Sequence, residues 1–186
     1  MDKKELKKIT TEIYEEFGFV VKNKMNKTLK DFWEWSKTTP ESYAEYGFDK
    51  NIGVFEDDFP LFDELCKYAR KTVDDNITEE PLLYELLEIL ALDNESEGIL
   101  EYIEENGSQE QVDKIISLGK IHKFYHTRWQ IAELIFRRQP DNAKEQLFYF
   151  LNDKHPYVRK RAQNLVDLIM SDDPVERAEE RGIVLR

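Results

Sequence analysis

At 186 residues, with 40% hydrophobic and 12% aromatic side chains, the chain can bury a sizeable core, which excludes disorder over most of its length. No run approaches the roughly 18 apolar residues of a membrane-spanning helix. The net charge of −12 is concentrated: residues 41–110 hold 21 acidic and 4 basic side chains, a net −17, against +2 for residues 1–40 and +3 for residues 111–186.

Residues 3–17 read as a helix, because Leu6, Ile9, Ile13 and Phe17 recur at three- and four-residue steps. The basic residues after Met1 have no apolar stretch behind them, so no secretory signal is expected, and the lone Cys66 cannot form an internal disulfide. A cytoplasmic location is the resulting expectation. A second helix is expected over 28–37, with Leu29, Phe32, Trp33 and Trp35, before Thr38-Thr39-Pro40 breaks the pattern. Residues 41–57 read as a loop with a short helical turn, packed down by Tyr43, Tyr46, Phe48 and Phe55. Asp57 or Asp58 is expected to cap the next helix, whose apolar stripe carries Phe62, Leu65, Cys66 and Ala69.

From Thr78 the rhythm becomes regular. Pro81 to Leu92 reads as a helix with a broad leucine face, and Asn94 and Glu97 have capping-box spacing ahead of Ile99, Leu100 and Ile103. Gly107 stands where a helix ends, and Ser108 with Gln111 repeats the capping pattern ahead of Val112, Ile115 and Ile116. Gly119 to Phe124 turns the chain into a helix with Trp129, Ala132, Leu134 and Ile135. Pro140 and Pro156 open two more, and Asp173-Pro174 a short last one before an apolar tail, Ile183–Leu185. Helix pairs of about 30 residues between 80 and 171 are the mark of a repeat array, since a single pair cannot bury its own apolar faces. The expected organisation is an N-terminal helical segment, 1–78, with an aromatic-rich loop, and a helix-pair array, 79–186.

The clearest unit joins Leu147, Leu151, Asp153, Val158, Arg159, Ala162 and Leu165. This order of an amphipathic helix, an Asp, a Val-Arg pair and an Ala resembles the HEAT-repeat consensus, most clearly over 140–171 and more weakly over 80–138. Ala132 lies 30 residues before Ala162, while Arg128 is one position out of register with Arg159. The resemblance implies an all-α, short right-handed helical-repeat array with the N-terminal segment packed on it. It also implies close helix approach at Ala162 and an interaction of Asp153 with Arg159 around the inter-helix turn. The architecture itself carries no activity. HEAT proteins bind proteins most often, some relatives bind DNA, and a few, the alkylpurine DNA glycosylases and bilin lyases, are enzymes.

His122 and His126 have metal-ligand spacing, yet they straddle an expected turn, and one cysteine with 3 histidines makes a poor zinc set; no metal or cofactor is expected. Asp57-Asp58 and Asp74-Asp75 suit capping and turns, and Cys66 on an apolar stripe suits a core. Phosphate-binding, dinucleotide and nucleophile-elbow motifs are absent from the sequence. Trp129 with Arg128, Arg137, Arg138, Arg159, Lys160 and Arg161 is the one nucleic-acid set, with Glu133 or Asp167 as its carboxylate; the competing reading is a core tryptophan among local ion pairs.

Three functions follow. The first is a non-catalytic protein-binding module with a basic protein partner, neither nucleic acid nor membrane, and in its sharpest form an acidic immunity or inhibitor protein that neutralises a basic toxin or nuclease. The second is a nucleic-acid-binding enzyme of the HEAT-like alkylpurine DNA glycosylase type, and the third an adaptor or assembly factor. For a binding stack the candidate contact residues are those between the apolar stripes of the second helices: Glu101, Tyr102, Glu105, Gln130, Arg137 and Lys160.

Overall fold

The computed structural model describes residues 24–47 and 55–171. The expected helix at 3–17, the short helix at Asp173-Pro174 and the tail at Ile183–Leu185 lie outside the described residues. Among the described residues the chain is all-α, with no strand. In chain order the helices are α1 (24–36), α2 (Pro40–Tyr46), α3 (Phe62–Asp74), α4 (Glu80–Leu92) and α5 (Gly98–Asn106). They continue with α6 (Gln109–Gly119), α7 (Tyr125–Arg138), α8 (Pro140–Phe150) and α9 (Pro156–Ile169). None is long and apolar enough to cross a membrane.

Several local expectations change. The segment read as a loop from 41 begins as α2, which Pro40 opens and whose cap, the Thr39 hydroxyl, accepts the Ser42 amide at 3.2 Å. Asp58 does not cap α3: its carboxylate accepts the Phe55 amide at 2.8 Å and closes a 3₁₀ turn at Glu56–Asp58. Ahead of α5 the capping group is Asp93 rather than Asn94. Its carboxylate accepts the Ile99 amide at 2.6 Å and the Ser96 hydroxyl, while Asn94 turns back to the Ala91 carbonyl at 3.1 Å. Ser108 caps α6 as expected, accepting from Gln111 at 3.3 Å.

One buried cluster runs from Met25, Phe32 and Tyr43 through Leu65 and the leucines of α4 to Leu147, Ala162 and Leu165, so residues on both sides of position 78 share a core. Trp33 and Trp35, which cannot share a helix face, pack on it from two directions. Trp33 reaches Tyr43 at 5.5 Å between ring centres, and Trp35 reaches Phe59 at 5.4 Å. Helix α4 packs on α3, α6 and α7, and α5 packs chiefly on α3 and α7 with a smaller contact on α4.

Helix α7 is the centre of the packing. It touches α4, α5, α6, α8 and α9, and its residues are buried without a break from His126 to Ile135. A helix with no free face must answer its polar side chains internally. Thr127 donates to the Leu87 carbonyl at 2.9 Å and Gln130 to the Leu90 carbonyl at 2.7 Å, both on α4. Close approach of α6 is permitted by Gly119, where a Cβ would fall on the Ile131 side chain.

The last four helices repeat in length: α6 and α8 have 11 residues, α7 and α9 have 14, and the second pair starts 31 residues after the first (109 to 140, 125 to 156). The arginines repeat as well. Arg128 donates to the carbonyls of His122 (2.8 Å) and Lys123 (3.0 Å), and Arg159 to those of Asp153 (2.7 Å) and Lys154 (3.0 Å). The expected contact of Asp153 with Arg159 is therefore made through the Asp153 backbone. Its carboxylate is taken by Arg128 in a two-pronged pair, 2.7 Å to Nε and 2.9 Å to Nη2. Ala162 is fully buried, as close helix packing requires.

The Arg128–Asp153 pair is almost dry, with the side chains 4% and 5% exposed. Burial alone would raise the Asp153 carboxyl; the Arg128 hydrogen bonds, the His155 amide and the Arg128 charge outweigh it and hold the group below the ordinary carboxylate range. Arg128→Ala leaves a buried carboxylate unpaired and is expected to cost about 3–5 kcal/mol in urea unfolding at neutral pH. Because folding lowers this pKa, the pair contributes fully above the unfolded value of about 3.9 and is lost as pH falls through the folded one. The gap between variant and wild type is therefore expected to shrink in acid; a gap that does not change with pH would count against the pair.

Candidate functional site

A cleft of about 500 Å³ opens where α2, the 3₁₀ turn and the α4–α5 connection meet the N-terminal ends of α7 and α9. Its aromatic wall comes from Tyr125, His126 and Trp129 on α7 and from His155 and Tyr157 at the start of α9. Tyr46 and Phe55, 72% and 49% exposed, also line it. Three acids, Glu56, Glu95 and Glu97, complete it, and among the described lining residues there is no lysine or arginine.

The wall is a stack. The Tyr125 ring lies 3.6 Å from His155 and 3.7 Å from His126, and His126 continues to Tyr43 at 4.9 Å. Trp129 meets Tyr157 edge-on at 5.9 Å, and the Arg161 guanidinium lies 4.4 Å over the Trp129 ring. Gly47 forms the base. Its φ of 71° and ψ of −160° belong to a region open to glycine, and a Cβ would sit 3.1 Å from the Tyr125 hydroxyl and 3.2 Å from His126 Cε1.

Glu56 is buried, and its Oε1 accepts from the Tyr43 hydroxyl at 2.9 Å and from Asn94 at 3.3 Å. Burial raises its carboxyl, the hydrogen bonds oppose that, and the nearby Glu95 charge raises it further. The one Tyr43 hydroxyl proton is shared between Glu56 and the Ala91 carbonyl at 3.0 Å, so the hydroxyl ties the floor of the cleft to the end of α4; burial first and Glu56 second push its pKa up. Glu97 sits in the left-handed region at φ 55° and pairs with Arg137 at 3.4 Å and Arg161 at 3.7 Å. Burial, then the Arg128 charge, lowers the His155 imidazole below its ordinary pKa, which favours the neutral ring. Rings backed by carboxylates favour an organic cation.

The expected contact residues scatter. Gln130 is fully buried with its amide on the Leu90 and His126 carbonyls, so it has no surface to offer a partner. Arg137 is 13% exposed and engaged by Glu104 at 3.0 Å as well as Glu97. The Tyr102 hydroxyl donates to Asp74 at 2.7 Å beneath Arg70, and Glu101 is half-buried beside it. Glu105 and Lys160 are exposed. None of these six lines the cleft.

Most of the supposed nucleic-acid set is engaged within the molecule, while Arg159 and Lys160 stand at the surface. Arg138 binds the Glu104 and Gly107 carbonyls, and Arg161 binds the buried Glu133 at 2.8 Å, while Arg128, Arg137 and Arg159 have the partners given above. Burial raises the Glu133 carboxyl, and the Arg161 and Arg137 charges oppose it. The two spaced histidines do not converge: His122 packs on Tyr84 and Phe124, and His126 on Tyr43 and Tyr125. Burial holds His122 down near pKa 3. Among the described residues no three His, Cys, Asp or Glu side chains are placed to hold a metal ion.

Compared with family models, with curated proteins and with solved structures, the chain matches none. A signal for the cleft was nonetheless present in the sequence: Phe124-Tyr125-His126 and His155-Pro156-Tyr157 place the same ring chemistry at the starts of two helices 31 residues apart (125 to 156).

Gly47→Ala is expected to lose about 1–3 kcal/mol of stability, the cost of a strained backbone, and to alter the near-ultraviolet circular dichroism of the Tyr125 stack. An unchanged spectrum and stability would mean that Gly47 does not shape the cleft. Cys66 is buried, and burial followed by the Asp93 charge pushes its thiol to about 12. It is expected to react with a disulfide reagent at pH 8 only after denaturant is added; prompt reaction in buffer would remove the core assignment.

Proposed function

We propose that this chain is a non-catalytic protein-binding module that captures a basic protein, and that its sharpest form is an immunity or inhibitor protein blocking a basic toxin or nuclease. The observation that carries the reading is the cleft, where exposed rings stand beside Glu56, Glu95 and Glu97. Rings of this kind are the commonest anchors of protein interfaces, and the carboxylates set the sign of the partner. The net −17 of residues 41–110 supports the same partner by speeding encounter.

The scaffold we propose is a short HEAT-like array. Its support is the 31-residue repetition of α6–α7 in α8–α9 and the arginine clamp that each repeat makes on its own inter-helix turn. A glycosylase-like enzyme is less well supported, because Glu133 is held by Arg161 and the arginines that would meet phosphates are engaged within the molecule. A basic partner that is not a toxin would favour the adaptor reading.

The test is affinity capture from lysate of the native organism at low and at high salt, with bound material identified by mass spectrometry. The expected result is one basic protein, released as salt screens the acidic surface. If that protein is toxic when expressed alone and harmless when co-expressed with this chain, the immunity form stands. Recovery of nucleic acid without a protein would overturn the reading in favour of the enzyme.

A further inference from the structure

We infer that the cleft seats the guanidinium of an arginine side chain, carried on a flexible basic segment of the partner; this rests on the protein-binding reading and names the group recognised. Of the three lining acids, Glu56 is buried and Glu97 is held by Arg137 and Arg161, so the sign comes from Glu95, with no lysine or arginine among the described lining residues. Glu95 is the exposed one of the three and lines the opening beside Asn94 and Glu97. A volume of about 500 Å³ admits a long side chain and its neighbours, more than an ammonium head requires.

Arginine is preferred to lysine because a planar, weakly hydrated guanidinium can lie on a ring and fork to a carboxylate at once, whereas an ammonium remains strongly hydrated. The molecule makes this combination itself at the edge of the cleft. Arg161 lies 4.4 Å over Trp129 and 6.0 Å over Tyr157 while pairing with Glu133 at 2.8 Å and Glu97 at 3.7 Å. Trp129, Tyr157 and Glu97 already serve Arg161, so an incoming guanidinium would make the same combination with the exposed rings of Tyr46 and Phe55 and the carboxylate of Glu95. The His155–Tyr125–His126 stack holds the wall in place, which lowers the ordering cost of binding.

The experiment titrates the full chain into three fluorescein-labelled peptides of Gly and Ser that carry arginine, lysine or citrulline at the same positions, read by anisotropy. The arginine peptide is expected to bind at least about fivefold more tightly than the lysine one, the size of one cation–π contact, and the uncharged citrulline peptide not to saturate. Tyr46→Ala and Glu95→Gln alter exposed side chains, so the thermal midpoint should hold while each weakens the arginine peptide by roughly fivefold. Glu110→Gln, exposed on α6, is the control expected to change nothing. Equal affinity for arginine and lysine, or indifference to both cleft variants, would overturn the inference and leave only a diffuse acidic field. Agmatine competing as well as the peptide would overturn the partner's arginine in favour of a small guanidine. A captured basic protein that binds both variants like wild type would sink the cleft assignment while the protein-binding proposal survived; loss of all capture, with arginine-peptide binding intact, would do the reverse.

Discussion

Complete burial of α7 is the constraint on which the rest of the structure depends. A helix buried from His126 to Ile135 must answer Thr127, Arg128, the Gln130 amide N–H and Glu133 internally, and each answer fixes a neighbour. Gln130 satisfies a carbonyl that α4 leaves open at its C-terminal end. Arg128 spans two inter-helix turns, gripping the carbonyls of one and the carboxylate of the other. Arg137 and Arg138, in the last turn, hold α5. With both ends of α7 pinned, Tyr125, His126 and Trp129 occupy set positions, and the cleft follows.

The helical period, the proline starts and the serine cap at α6 were legible because they depend on residues close in sequence. The burial of α7 was not. Arg128, Gln130, Glu133 and Arg137 read as a polar face, and only the surrounding helices turn that face into an interior. The repeat register was close to legible but was anchored on Ala132 and Ala162, which are 30 apart. The helices and their arginine clamps recur at 31, which aligns Arg128 with Arg159 and His122 with Asp153. An alanine permits close packing at more than one register, whereas an arginine reaching back to two carbonyls tolerates only one, so the arginine is the better marker.

The α4–α5 unit shows the other limit. Two amphipathic helices of suitable length read as a pair, but α5 is seated on α3 and α7, and its start is governed by Asp93 rather than by the Asn94–Glu97 spacing. The rearrangement brings Asn94, Glu95 and Glu97 to the cleft. That site draws on residues from Tyr46 to Tyr157, a span that no local pattern covers.

The charge distribution also changes meaning in three dimensions. By sequence, residues 111–186 carry a small positive excess that offsets the acidic middle. In the fold Arg128, Arg137, Arg138 and Arg161 bind carbonyls and carboxylates of neighbouring elements, whereas Arg159 closes its turn at the surface. Cations held in short, buried contacts contribute little field beyond the partner that holds them, because each pair is nearly neutral at a distance. Glu95 stands in the open at the cleft, where its field reaches an approaching molecule. The cleft thus presents the exposed Glu95 carboxylate beside a wall already stiffened by stacking. Stiff rings beside a carboxylate lower the ordering cost of seating a cation, and the proposed recognition of an arginine side chain draws on that property.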